Sequence, residues 1–477
     1  MYFNFKKYFN KNLNKDFIII NKEIITYSDF YKKSFQLKVY LKKQGLQKGS
    51  KILVKVDNCI EYLYLYLACI LGGFIICPVN PSLSIKLFKK IKKNLSPDYE
   101  IDNIKQIQFS TNCKINYKNI LLDNNFLIIQ TSGTTGDSKG ILFNVKSIFL
   151  SSKNFAKLSD INKNSKVLHH LPMYYMSGIL NSFFSPFFSK SKIVLLPKTS
   201  SRSILNFWED CLKYNVNYIN LTPSMCVSLH LIFKGNKKIL KKIGYIKNVI
   251  VIGSALSEEV KSKFYKKFKI RLRQCYGVTE CGGPITVEKK NSKLVNSSGI
   301  YGGTTRIKII ENIDGLKTIN VNNDFSMKGY YSFNKLSYGA FKNGYFDTND
   351  VGVLKNKNLF VYDRVKEIIK KNSELVFPNL LDNFFLSNDQ ILETKTIGVY
   401  DNNLLEKIVS FISLSNTLIS KKVLNKILID IRFKIINELG SIYNPDKIIL
   451  LDSIPKTENN KIDYLSLKNL AATKDFF

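Results

Sequence analysis

Short apolar runs alternate with amphipathic stretches through the first three quarters of the chain. Runs at 51–56, 74–77, 126–130, 192–196, 218–221, 248–252 and 270–273 are brief and rich in Val, Ile and Leu, and they predict strands. Residues 60–71 predict a helix, and 205–214 and 257–268 read as amphipathic helical segments. Strand–helix alternation of this kind predicts parallel-rich sheets of the α/β class. After about residue 300 the texture changes. Short alternating runs at 306–310, 317–321 and 359–362 predict a small β module. The last hundred residues combine a strand (397–400), a helix (421–438) and a strand (447–451), which predicts a compact α+β domain.

Residues 60–77, IEYLYLYLACILGGFIIC, have the length of a membrane span. Glu61, the Gly72-Gly73 pair and Pro78 interrupt it, so it predicts a buried helix ending at the glycines and then a short strand, with no membrane span. No internal repeat is present.

Composition sharpens this picture. At 477 residues the chain has material for about three units and a large core. Its charge is 72 basic minus 37 acidic residues, or +35, which by itself suggests nucleic acid or an anionic surface. Only six of the bases are Arg, and the lysines are scattered among abundant Ile, Asn, Phe and Tyr. A/T-rich codons account for that bias without a nucleic-acid partner. The eight cysteines form no C-x-x-C pair and only three His exist (169, 170, 230), so no zinc site is expected. The N-terminal stretch lacks an apolar core and a cleavage site, and a reduced, cytoplasmic setting is expected.

Residues 131–140, TSGTTGDSKG, follow the predicted strand 126–130. Glycines allow tight turns and close approach, hydroxyl groups supply donors, and Lys139 supplies charge, a combination suited to a polyphosphate. The spacing is not that of the P-loop NTPases. Further motifs occur in order: Gly253-Ser254-Ala255-Leu256-Ser257, Tyr276-Gly277-Val278-Thr279-Glu280, the run 344–352 (GYFDTNDVG), the run 363–370 (DRVKEIIK), and Pro455-Lys456-Thr457 with Lys461.

Together these resemble the adenylate-forming enzymes: acyl-CoA synthetases, o-succinylbenzoate–CoA and coumarate–CoA ligases, firefly luciferases and nonribosomal adenylation domains. The resemblance extends from about Phe17 to Leu470. It implies an N-terminal AMP-binding domain (1–362) and a mobile C-terminal domain (363–477) that rotates about a hinge at Lys366 and carries the catalytic Lys461. It implies ATP, Mg²⁺ and, as the co-substrate, CoA.

By this resemblance Thr131, Ser132, Gly133, Thr134, Thr135, Gly136 and Lys139 hold the β- and γ-phosphates. Glu280 and Thr135 ligate the magnesium. Gly253, Ser254, Ala255, Tyr276, Gly277 and Thr279 flank the adenine, and Asp350 and Arg364 take the ribose. Tyr175, Cys281, Gly282 and Gly283 line the acyl pocket. Lys461 bridges carboxylate, ribose and α-phosphate as charge builds.

Several positions depart from the family pattern. Asn349 and Asn460 stand for glycines, and Asn tolerates left-handed backbone angles. Ser138 stands for proline, Tyr175 for a histidine and Tyr464 for an arginine. After the hinge, Lys370-Lys371-Asn372-Ser373-Glu374 lacks a usual glycine, and 80–126 is a shortened connector. The resulting expectation is a ligase joining a carboxylic acid to a thiol. Transfer to an acyl carrier protein is the alternative acceptor, and a non-enzymatic basic protein binding nucleic acid or membrane is the reading from another class.

Overall fold

The structure is a computed structural model. It describes the chain apart from residues 1, 108, 110–113, 118, 132–138, 234, 313–314, 333–334, 338, 372–373, 402–404, 416–418, 458–461 and 474–477, with backbone only at 131, 139, 201, 202, 405, 421 and 473.

Two large sheets organise residues 2–364. One has seven strands in the order Lys335–Ser337, Gly329–Ser332, Lys139–Asn144, Asn125–Thr131, Ile75–Pro78, Lys51–Val54, Tyr99–Ile101. Its last four strands are parallel, and its first four pair antiparallel. The other sheet has fourteen strands. Its centre is parallel, running Leu272–Val278, Asn248–Val251, Tyr218–Leu221, Lys166–His169, Lys192–Leu195, Asp16–Ile20. These strands are apolar along most of their length because both faces are covered, as parallel sheets require.

The apolar stretch at 60–77 folds as its breakers predict. The helix Ile60–Gly72 buries nine residues from Tyr62 to Ile70, and Gly73 ends it in a left-handed turn (φ 70°) whose N–H returns to the Cys69 carbonyl. A side chain is costly at such a C-terminal turn. The strand Ile75–Pro78 then enters the seven-stranded sheet. Among the described residues no helix is long and apolar enough to cross a membrane. The seven described cysteines are free thiols, and six of them are buried.

The β-rich stretch after residue 300 is present, and its strands continue the edges of both sheets. Arg306–Glu311, Lys317–Asn322, Tyr345–Lys355 and Asn358–Arg364 add antiparallel strands to the larger sheet, and Gly329–Ser332 adds to the smaller. The connector 80–126 holds more structure than its short length suggests. It contains the helix Ile85–Leu95, capped by Ser84, and the edge strand Tyr99–Ile101. The segment 205–214 is two helices, Ser201–Leu205 and Phe207–Lys213, that meet at Asn206.

Residues 369–471 have their own apolar clusters. A five-stranded sheet (Glu374–Val376, Ile369–Lys371, Leu405–Leu414, Ile391–Asp401, with Lys447–Leu450 beside Leu405–Leu414) packs against Pro378–Leu386 and Lys421–Leu439 on one side and Tyr464–Thr473 on the other. A polar contact joins this domain to the larger one. Lys263 Nζ lies 2.6 Å from Asp389 Oδ1 and donates to the Leu386 and Ser387 carbonyls.

His169 ends a central strand, His170 follows it, and both are buried. Burial lowers them to about 3 and about 4, below the ordinary 6.5. The imidazolium is therefore disfavoured in the fold, and the unfolded chain binds more protons between pH 6.5 and 4. Each His contributes stability that is present above pH 6.5 and is lost on acidification, about 2 kcal/mol between pH 7 and pH 5. Asp363, raised by burial to about 7, works in the opposite direction over the same window. A parent-minus-variant comparison isolates the histidine. We expect His170→Gln to reduce the acid shift of the urea midpoint, and an unchanged shift would show that His170 titrates normally.

Candidate active site

The strand Leu272–Val278 leaves the parallel centre of the large sheet and turns antiparallel to Gly283–Val287, with a bulge between Tyr276 and Gly277. Gly277 is required there, because a Cβ would stand 2.4 Å from the Gly283 carbonyl oxygen. Thr279–Cys281 forms a 3₁₀ turn closed by Gly282 N–H donating to the Thr279 carbonyl, with Gly282 left-handed. This corner presents Tyr276 and Glu280.

The Tyr276 hydroxyl donates to Asp350 Oδ2 at 2.7 Å. Arg364 Nε donates to Asp350 Oδ1 at 2.8 Å. The hairpin Tyr345–Lys355/Asn358–Arg364 places Asp350 directly opposite Arg364, so the sheet register sets this ion pair. Asn349 before it has φ 55°, the left-handed angle its substitution for glycine allows. Asp350 is 4% exposed. Burial pushes its carboxyl up, and the Arg364 guanidinium and Tyr276 hydroxyl counter that. Each carboxylate oxygen offers about two lone-pair sites. One donor on each leaves Asp350 able to accept from a diol.

Glu280 is partly exposed, and its Oε1 accepts from the Tyr330 hydroxyl at 3.2 Å. Tyr330 sits on Gly329–Ser332, which pairs with Lys139–Asn144, Tyr330 opposite Ile141. That strand is the antiparallel partner of Asn125–Thr131, with Thr131 opposite Lys139. Glu280 of the larger sheet is thus tied to the strand that leaves the Gly/Thr/Ser loop of the smaller sheet. Ser132, Gly133, Thr134, Thr135 and Gly136 lie outside the described residues, as do the side chains of Thr131 and Lys139, and Lys461. A hard, partly exposed carboxylate on a short turn fits a magnesium ion that keeps much of its water.

The turn after Asn248–Val251 is held by Gln274. Gln274 Nε2 donates to the Ser254 carbonyl at 3.0 Å, and its Oε1 accepts from Leu256 N–H at 3.0 Å. Gly253 (φ 99°), Ser254 and Ala255 are exposed beside the Tyr276 strand. A Cβ on Gly283 would stand 3.1 Å from Met176 Cγ, which places Gly283 against the residue that follows Tyr175. Tyr175 is partly buried and packs on Tyr174. Cys281 is fully buried in the core, and its carbonyl accepts from Asn323 Nδ2. Lys366 lies exposed in the turn Val365–Glu367 that follows Arg364. Gln274 and Tyr330 escape sequence reasoning. Each is an ordinary strand residue until the fold shows what it holds.

A family model described as AMP-binding enzyme matches residues 5–101 and 93–331. The chain belongs to the AMP-binding enzyme family. It is an enzyme, an adenylate-forming ligase. This removes the non-enzymatic reading.

Among the family's characterised members, a sulfoacetate–CoA ligase of Cupriavidus necator is 23% identical over 356 residues, 72% of this chain and 67% of that one. The 4-coumarate–CoA ligase CCL1 of Humulus lupulus is 23% identical over 492 residues, 92% of this chain and 88% of that one. The fold matches o-succinylbenzoate CoA synthetase of Bacillus subtilis, solved with its acyl-adenylate intermediate, at TM-score 0.82 and 20% identity over 100% of this chain and 99% of that one. It also matches ATP-bound MatB of Rhodopseudomonas palustris at TM-score 0.85 and 17% identity, covering 99% of both chains.

Proposed function

We propose that this enzyme activates a carboxylic acid with ATP and passes the acyl group to the thiol of CoA. A carboxylate oxygen attacks the α-phosphorus, the α–β anhydride bond breaks and pyrophosphate leaves. The CoA sulfur then attacks the acyl carbonyl, its proton passes to solvent and AMP departs. The observation that carries this reading is the convergence of Tyr276, Asp350 and Arg364 into one hydrogen-bonded group, beside a Glu280 tied through Tyr330 to the strand leaving the 131–140 loop.

In this reading Asp350 accepts both ribose hydroxyls and Arg364 supports it. Tyr276 and the 253–255 backbone flank the adenine. Residues 131–136 and Lys139 hold the outer phosphates. Glu280 and Thr135 would hold a magnesium ion, which screens the phosphate charge. Lys461 meets the carboxylate and α-phosphate. Residues 1–362 bind the nucleotide and acid, and residues 363–477 rotate about Lys366 between half-reactions. The CoA ligases among the relatives favour CoA over a carrier protein as acceptor. No nucleic acid is needed for this chemistry, and a cytoplasmic location suits it.

The test is pyrophosphate release from ATP and Mg²⁺ over a broad panel of carboxylic acids. Release that depends on both the acid and Mg²⁺ is expected. No release from any acid, together with no ATP binding, would sink the proposal.

A further inference from the structure

The segment holding Lys461 is polar and rich in Asn (TENNK), and residues 458–461 lie outside the described residues. Its described flanks are held from outside. Lys456 and Ile462 form an antiparallel bridge, and Asp463 N–H donates to the Pro455 carbonyl at 3.0 Å, so the chain before and after lies side by side.

One strand, Ile391–Asp401, grips both flanks. Glu393 Oε1 lies 2.5 Å from Lys456 Nζ, and its Oε2 accepts from Ile454 N–H at 3.3 Å. Two residues along, on the same face of the strand, Lys395 reaches the other flank. Its ammonium lies 6.0 Å from the centre of the Tyr464 ring, and Tyr464 opens the last helix.

Lys395 is almost fully buried, an unusual place for a lysine unless carboxylates surround it. Its Nζ donates to Asp382 Oδ2 at 3.1 Å and to Asn379 Oδ1 at 3.4 Å. Burial works against its charge, but Asp382, with Tyr464, Glu367 and Asp363, outweighs that and holds it above the ordinary lysine range. The same cluster reaches the hinge. Asn379 donates from its backbone to Asp363 Oδ2 and from its side chain to the Tyr362 carbonyl, three to four residues before Lys366.

We propose that Glu393 and Lys395 are positioning residues for acyl-adenylate formation, gripping the chain before and after Lys461 and fixing it to the hinge. Neither lies in a motif of the sequence. The inference rests on reading Lys461 as the adenylating lysine. A displacement of about 1 Å costs about a hundredfold in a positioned reaction, so two outside grips are a sufficient reason for a buried lysine here.

The test uses full-length protein and two assays: pyrophosphate release, and thioester formation from CoA and a supplied acyl adenylate. Glu393→Lys and Lys456→Glu each replace one existing charge by its opposite at a site that is 26–32% exposed. Each is expected to lower kcat for pyrophosphate release about tenfold to a hundredfold, with KM for ATP and the supplied-adenylate reaction unchanged. The double variant is expected to recover most of the loss. Lys395→Met is expected to match the single reversals.

Single reversals at parental kcat, loss of both half-reactions alike, or a double variant no better than the singles would each overturn the proposal. Lys461→Ala run alongside separates the two layers. If it keeps full adenylation, the reading of Lys461 falls. If it loses adenylation while the reversals do not, only the grip falls.

Discussion

Lys461→Ala is expected to lower pyrophosphate release on the order of 10²–10³-fold while leaving thioester formation from a supplied acyl adenylate close to parental. The reason is where charge develops. When the carboxylate attacks, two anions meet and the α-phosphorus passes through a crowded, more negative state. A single well-placed donor to such a state is worth about that factor. When the thiol attacks, the negative charge builds on the carbonyl oxygen and AMP is the leaving group, so the lysine has no comparable task. Both half-reactions timed on the same preparation settle the point. Equal loss in both would place the fault in folding, or the lysine elsewhere.

Lys366→Pro is expected to separate the half-reactions in the other sense. Lys366 is exposed in the middle of the 3₁₀ turn Val365–Glu367, directly after Arg364. The usual φ of such a turn is near the −65° that proline imposes. Proline therefore fits this arrangement and resists leaving it. If residues 363–477 must swing for the thiol to enter, the variant forms acyl adenylate at a near-parental rate and releases thioester at least tenfold more slowly, the loss that about 1.4 kcal/mol of added barrier produces. Some of the surface that must separate is visible in the Lys263 contacts to Asp389 and to the Leu386 and Ser387 carbonyls. An unchanged thiolation rate would mean that no such swing is needed, and that Lys366 is a surface residue.

The two experiments bear on different levels of the molecule. The first concerns one cation at one atom. The second concerns a backbone torsion acting on about a hundred residues. Both positions are proposed from motifs that are local: a run such as 363–370 needs no partner elsewhere to be read.

Local legibility extended to much of the scaffold. The helix Ile60–Gly72 and its stop at the glycines follow from an apolar run and a left-handed cap, both properties of neighbouring residues. The left-handed angle at Asn349 follows from Asn standing where a turn wants glycine. The parallel centre of the large sheet follows from short, continuously apolar strands separated by helical stretches. Where continuous apolarity lost its period, reading failed. Seven of the eight residues in the π-helical stretch Ser177–Phe184 are buried, the polar Asn181 and Ser182 among them, so polarity does not mark an exposed face there.

What the sequence determined by itself was the class of the fold, the order of the motifs and the residue types available for nucleotide chemistry. Those depend on periodicity, turn propensity and spacing, which act over a few residues. Only the tertiary structure decided which of these residues meet. Asp350 faces Arg364 because a strand register puts them opposite. Glu280 meets Tyr330 because two sheets abut at one corner. Gln274 holds a turn twenty residues away, and Glu393 and Lys395 reach the flanks of Lys461 from a strand more than fifty residues earlier. Such contacts join groups with no local relation, and their geometry is fixed by packing of the whole chain, so no stretch of sequence read on its own contains them.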